Sequence, residues 1–237
     1  PAGWGSRVAT PFAAAGFPGL PAGGAASCRA GGISGSAAMR RRDVLGGALV
    51  LLAGCAGLPP AGTLDAADLA DVARVERTLD AIRTLRARFV QEGAGPGGAG
   101  TAWLERPGRL RLQYDPPSRA VLVAARGRVV LADGATGGSS SLPLARTPLA
   151  ILLAPEIVLS GAVTVISVQR GPGVLAVALR STERPGQGRL TLGFAEGPLA
   201  LRALEMVDGR GDVTRLALHD VETGVAVDES LFGLPGA

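Results

Sequence analysis

The residue types that usually carry catalysis or bind metals are scarce in this chain of 237 residues. It holds one histidine, His219, and two cysteines, Cys28 and Cys55. A zinc site needs several ligands close together, and a Ser-His-Asp set would depend on His219 alone. The acidic residues are spread singly, so no acid–base pair can be identified. We therefore expect no metal, no cofactor and no enzymatic activity, and we expect His219 to be an ordinary strand residue.

Arg106 has two interpretations from the residues alone: a solvated arginine beside a turn, or a residue at the end of an apolar strand face that gates an apolar pocket. Residues 101–106 have the pattern of a strand that places Ala102, Leu104 and Arg106 on one face, since side chains alternate along a strand. Pro107-Gly108 then predicts a turn. The return strand at 109–115 has an apolar face made up of Leu110, Leu112 and Tyr114. The guanidinium of Arg106 is therefore expected at the rim of an apolar surface.

Short strands and tight turns dominate the rest of the sequence. Asp65 is suited to cap a helix over about residues 66–85, and 86–92 looks extended. Thr147 and Pro148 predict the start of a second helix that ends near residue 154, and 228–232 a terminal helical turn. The strands are expected at 101–106, 109–115, 119–124, 128–133, 162–170, 174–181, 188–194, 199–207 and 213–222. This order predicts a mostly β (α+β) antiparallel architecture.

Several of these segments, in order, resemble the LolA family of periplasmic outer-membrane lipoprotein carriers. The matching residues are Phe89-Val90-Gln91, Gly100 to Gly108, Tyr114-Asp115-Pro116-Pro117, the strand pair around Val121–Leu131, and Thr147 to Leu153. The resemblance covers residues 65–234. It implies an incomplete antiparallel β-barrel with a helical lid over an apolar cavity, the lid being the leading helix and the helix at 147–154.

The resemblance also implies a role for particular residues. In the family the cavity holds lipoprotein acyl chains, and the motif arginine, which matches Arg106, hydrogen-bonds lid carbonyls and keeps the empty cavity closed. Leu110 and Leu112 stand where many members have aromatic residues, so this lining is more aliphatic. The side chains expected to line the cavity are Phe89, Leu104, Leu110, Leu112, Tyr114, Leu149, Leu152 and Leu153.

The partners implied by the resemblance are acylated lipoproteins as cargo, an inner-membrane lipoprotein-releasing ABC transporter that loads the protein, and an outer-membrane receptor or the outer membrane itself. The protein is expected to act as a monomer in the periplasm. Residues 55–237 contain 19 arginines and 19 acidic residues. This even balance argues against a nucleic-acid partner.

The first 64 residues are expected to lie outside the carrier domain. Residues 1–38 are rich in small residues and proline, which predicts a disordered leader or a segment upstream of the true start at Met39. Residues 39–54 have the charged and apolar order of a signal peptide. Leu52 to Cys55 resembles a lipobox, so that Cys55 is either lipidated or removed with the signal. Residues 55–64 are expected to be a linker.

Two alternatives remain open. A protein acylated at Cys55 would be anchored to the outer membrane and would resemble the lipoprotein receptor LolB, which shares the architecture and receives cargo. A periplasmic lipid-sensing regulator of the RseB type has a similar half-barrel, but such proteins carry a second, C-terminal domain, for which we expect no room after residue 234.

Overall fold

The computed structural model describes residues 64–134 and 136–235. The segments predicted to be a leader (1–38) and a signal peptide (39–54), together with Cys55 and the predicted linker up to residue 63, lie outside the described residues. The described helices are α1 (Ala66–Ala81) and α2 (Leu149–Leu152), and short 3-10 helices occur at Leu144–Arg146, Pro185–Gln187 and Glu229–Phe232. The strands are β1 (Thr84–Gly93), β2 (Gly98–Glu105), β3 (Arg109–Tyr114), β4 (Ala120–Ala125), β5 (Arg128–Asp133), β6 (Ser139–Pro143), β7 (Val163–Gly171), β8 (Val174–Ser181), β9 (Gly188–Ala195), β10 (Ala200–Asp208) and β11 (Val213–Thr223).

The eleven described strands form one antiparallel sheet in the order β6-β5-β4-β3-β2-β1-β11-β10-β9-β8-β7. Each strand pairs with its neighbour in sequence, except that β6 and β7 do not pair and β1 pairs with β11. The pairing of β1 with β11 joins the two meanders at the centre. The described sheet ends at β6 on one side and at β7 on the other, so it is open. The prediction of a mostly β, antiparallel fold is confirmed.

Alternation along the strands builds a buried face on one side of the sheet. On β3 the side chains of Leu110, Leu112 and Tyr114 are buried, while those between them are half-buried. This is the pattern expected when one face of an antiparallel sheet packs on a core. The two helices pack on the same side, because α1 contributes Val72, Val75 and Leu79 to the same apolar cluster as the inner strand residues.

Helix α1 begins as predicted but ends four residues earlier. Asp65 accepts a hydrogen bond from the backbone N–H of Asp68, and the side chain of Asp68 accepts one from the N–H of Asp65, which together form a capping box. At the other end, Thr84 already pairs with Glu105 of β2. The sheet therefore takes residues 84 and 85 from the predicted helix, and β1 starts before residue 86.

The second predicted helix is also shorter than expected. The hydroxyl of Thr147 donates to the carbonyl of Leu144, so this residue closes the preceding 3-10 helix and does not cap α2. Only Leu149–Leu152 is α-helical. Strand β6 was not predicted, because Ser139–Pro143 is polar and exposed along its whole length and pairs only with β5.

The outer face of β2 to β4 is covered by the C-terminal segment. Phe232 is buried together with Val123 and Ala125 in a small second cluster. Arg109 of β3 lies over the Phe232 ring, with its guanidinium carbon 5.7 Å from the ring centroid, and donates to a carboxylate oxygen of Glu229 at 3.0 Å. The predicted terminal turn at 228–232 thus docks on the face opposite the main core.

Candidate functional site

The inner face of the sheet, together with α2, surrounds a cavity of about 650 Å³. This volume lies in the range of natural ligand pockets, which are concave and mostly apolar. Six of the eight residues expected to line it do so: Leu104, Leu110, Leu112, Tyr114, Leu149 and Leu152. They come from β2, β3 and α2, elements that are far apart in sequence but adjacent to the same space.

Phe89 and Leu153 are placed differently from the prediction, because both are buried but neither lines the cavity. The Phe89 ring packs edge-on against Tyr114, with 5.2 Å between the ring centroids. It also lies against Gly100, where an added Cβ would stand 2.6 Å from Cζ of Phe89. The ring thus fills the space that the missing side chain leaves on β2, and it packs against Tyr114, which does line the cavity.

Most of the wall was not singled out from the sequence. The additional apolar residues lie on strands on both sides of β1 and include Leu85, Leu122, Val129, Leu131, Leu190, Leu201, Leu204, Met206, Leu216 and Leu218. Strand alternation identifies which side chains share a face. It does not show which of them are covered by a neighbouring element and which face empty space, so the full lining required the tertiary structure.

Two hairpins contribute to the lining at one end of the central strands, and the second of them contributes charged side chains. Ala94, Gly95 and Pro96 connect β1 to β2, and the segment Asp208–Asp212 connects β10 to β11. Arg210 in the second hairpin is exposed and forms ion pairs with Asp208 and Asp212. Arg106 follows the other end of β2, which is eight residues or about 26 Å long at 3.3 Å per residue.

Arg106 is buried against the C-terminal end of α1. Its Nε donates to the carbonyl of Ile82 at 2.8 Å, and its Nη2 donates to the carbonyls of Leu79 and Asp80 at 2.8 and 2.7 Å. The last carbonyls of a helix have no partner within the helix, and a basic side chain can satisfy them. Arg106 is 6% exposed, and this burial lowers the pKa of its guanidinium, although an arginine remains charged.

The turn that contains Arg106 also joins the two helices. The N–H of Gly108 donates to the carbonyl of Leu153, just after α2, at 2.9 Å. The carboxylate of Asp80 accepts from the N–H of Ile157 at 3.2 Å, and Arg83 donates to the carbonyl of Pro155 at 2.7 Å. The N–H of Ile157, followed by the charges of Arg83 and Arg106, lowers the pKa of Asp80. The end of α1 and the segment after α2 are therefore fixed at one junction.

The first half of α1 is held by a separate set of charges that sequence reasoning missed. Arg170 on β7 donates from Nε to Asp71 at 2.6 Å, and its Nη1 lies 2.9 Å from a carboxylate oxygen of Asp68. Arg74 donates to the other oxygen of Asp71 at 2.7 Å. Because Asp68 and Asp71 lie one turn apart on the helix, a single arginine can reach both. Helix α1 is therefore attached to the sheet at both ends.

The structure also places the residues considered for metal binding and for acid–base chemistry. No three histidine, cysteine or acidic side chains within them are grouped so that they could hold a metal ion. His219 is exposed on β11, where its backbone pairs with that of Arg88. Neither of the described helices has the length and apolar character needed to cross a membrane.

Comparison with known proteins identifies relatives over most of the chain. The family model for the outer membrane lipoprotein carrier protein LolA matches residues 80–235. An outer-membrane lipoprotein carrier protein from Methylococcus capsulatus is 29% identical over 181 residues, which cover 72% of this chain and 86% of that protein. A protein of the same name from Pseudomonas paraeruginosa is 30% identical over 176 residues, covering 70% of this chain and 83% of the relative.

Solved structures of the same superfamily are more distant. A LolA superfamily protein from Nitrosomonas europaea superposes with a TM-score of 0.39 and 9% identity, covering 68% of this chain and 96% of its own. The assignment depends on the sequence matches, which include the hairpin around Arg106 and the segment at 147–153. Since the family model spans well over half of the sequence, the chain belongs to the LolA family of outer-membrane lipoprotein carrier proteins.

Proposed function

We propose that this protein carries lipoproteins across the periplasm to the outer membrane with their acyl chains in the cavity. The observation that supports this most is the apolar cavity of about 650 Å³ between the inner face of the sheet and α2, with Arg106 tying the end of α1 to the turn after β2. Each methylene group removed from water contributes about 0.8 kcal/mol, so a long acyl chain provides on the order of 10 kcal/mol. A polar or metal-dependent ligand would find few partners on these walls.

In this proposal Arg106 is the gate. Its hydrogen bonds to α1 belong to the closed, empty form, and loading of cargo moves the helix away from the sheet. An inner-membrane lipoprotein-releasing ABC transporter would load the carrier, and an outer-membrane receptor or the membrane itself would accept the cargo. The relatives named as outer-membrane lipoprotein carriers support this route. The protein would be exported by the segment 39–54 and would work as a monomer.

A second candidate is an outer-membrane receptor anchored through a lipidated Cys55. The lipobox-like Leu52 to Cys55 favours it, since a tethered protein cannot cross the periplasm. The fold and cavity are compatible with both functions, because a carrier and a receptor each need to shelter acyl chains. The two differ in whether the protein extracts lipoproteins from the inner membrane by itself in soluble form.

The experiment that separates them is a spheroplast release assay. The chain from Gly54 onward, with Cys55→Ser to exclude lipidation, is added to spheroplasts that hold a labelled triacylated lipoprotein. A carrier is expected to release that lipoprotein into a soluble one-to-one complex, and an unacylated form should give no complex. Absence of release, with uptake only from a pre-loaded carrier, would contradict the carrier function and support the receptor.

A further inference from the structure

A buried polar cluster forms part of the otherwise apolar wall of the cavity. The Tyr114 hydroxyl donates a hydrogen bond to Oε1 of Gln91, and Nε2 of Gln91 donates to the carbonyl of Ala94 at 2.9 Å. The hydroxyl of Thr214 donates to the same carbonyl at 3.1 Å. All four residues line the cavity. They come from β1, β3, β11 and the β1–β2 hairpin, so the fold brings them together from three strands and a turn.

The cluster is buried and has unused hydrogen-bonding capacity. Gln91 is 5% exposed and Tyr114 is 3% exposed. The Gln91 amide has two N–H groups, but only Ala94 accepts from it among the described residues. Burial raises the pKa of Tyr114 to about 12, so the phenol stays neutral and orients the amide by donating to Oε1. Both polar atoms of the Gln91 amide therefore have one partner, and the second N–H of Nε2 remains available to a ligand that brings an acceptor into the cavity.

The cluster lies at one end of a long apolar surface, where a subsite for the first carbons of an acyl chain would be expected. Gln91 lies near the hairpin end of β1, and the inner face of the same strand leads to Leu85, which also lines the cavity. The two residues are six positions apart, which corresponds to about 20 Å of strand. Leu104 on the neighbouring strand continues this apolar surface. A polar group held at Gln91 would therefore have an acyl chain's length of apolar wall ahead of it.

We propose that Gln91 and Tyr114 form a subsite for the ester or amide carbonyl groups at the first carbon of the acyl chains. The free N–H of Gln91 donates to an ester or amide carbonyl oxygen. Without this donor, the carbonyl would lose its hydrogen bond to water on entering the cavity and gain no other. This inference rests on the proposed function, because it names the part of the cargo that the cavity recognises. The subsite sets the depth to which the chains enter and favours acylated molecules over hydrocarbon of the same length.

The test compares two synthetic diacyl lipopeptides with the same peptide and the same number of chain carbons. One has ester-linked chains, and the other has ether-linked chains that lack the carbonyl oxygens. The wild-type protein is expected to bind the ester form about three- to ten-fold more tightly, the effect of one net hydrogen bond. Gln91→Met, which keeps a similar shape, should bind both forms equally.

The matched control is Gln113→Met, on the outer face of β3, where the amide oxygen accepts from Arg111. This variant should keep the preference for the ester. Equal binding of both lipopeptides by the wild type, or a preference that survives in Gln91→Met, would overturn the subsite while leaving the carrier function intact. Failure of the wild type to bind either lipopeptide would overturn the carrier function itself. The comparison of the two lipopeptides on the wild-type protein does not require any variant to fold.

Discussion

Arg106→Leu is expected to bind acylated cargo more tightly than the wild type, by about ten- to a hundred-fold, and to release it more slowly. The three hydrogen bonds from Arg106 to Leu79, Asp80 and Ile82 stabilise the closed, empty form. Contacts present in the empty form and absent from the loaded form oppose loading. Hydrogen bonds to a charged group stabilise a structure by about 1.5–3 kcal/mol net. Arg106→Leu removes this stabilisation of the closed form, so loading no longer has to overcome it.

The measurement is the dissociation rate of a fluorescent diacyl lipopeptide, together with transfer of a loaded lipoprotein to outer-membrane vesicles. We expect Arg106→Leu to form the complex and to fail in transfer. Arg111→Leu is the matched control, since Arg111 also donates to a backbone carbonyl, that of Leu231 at 2.9 Å, but on the outer face. Normal transfer by Arg106→Leu, or an equal defect in Arg111→Leu, would rule out the gate.

Ala102→Trp is expected to weaken binding of a long-chain lipopeptide by roughly a hundred-fold. Ala102 is 4% exposed, lines the cavity and lies opposite Leu112 on β3. An indole at this position occupies space that an acyl chain would use. If roughly four methylene groups can no longer be buried, at about 0.8 kcal/mol each, the loss is about 3 kcal/mol.

Binding to Ala102→Trp is measured by titration with lipopeptides of increasing chain length. Short chains should be affected least, because they need less of the cavity. Val90→Trp places the same side chain on the opposite face of β1 and should bind as wild type does. A thermal unfolding curve for each variant establishes that it is folded. Unchanged affinity in a folded Ala102→Trp protein would show that the chains lie elsewhere.

The parts of the fold that follow from local rules were predictable. The hairpin at 101–115 combines strict alternation with a Pro-Gly turn, and both properties depend on neighbouring residues alone. The strands at 128–133 and 174–181 have the predicted bounds for the same reason. Their arrangement as an incomplete antiparallel barrel came from the resemblance. The pairing of the first strand with the last is seen only in the structure, because no local pattern specifies which distant strands meet.

Other features depend on contacts that no local pattern contains. Strand β6 has no apolar alternation, and its pairing with β5 is visible only in the sheet. Phe89 lies on the same face of its strand as Leu85 and Gln91, which line the cavity, yet its ring packs against Gly100 and Tyr114 and does not line that space. The contacts of Arg170 with Asp68 and Asp71 join residues about a hundred positions apart. Arg106 was singled out early, but the particular carbonyls that it binds were known only from the structure.

Photo-crosslinking tests whether the acyl chains occupy this cavity. A photoreactive phenylalanine analogue is placed at Leu112, on the inner face of β3, and in a second protein at Gln113, on its outer face. Each is irradiated with a lipoprotein whose acyl chains are labelled. We expect a labelled adduct from position 112 and none from position 113. Adducts from position 113 alone, or adducts at 112 that lack the acyl label, would contradict occupation of the cavity by the acyl chains.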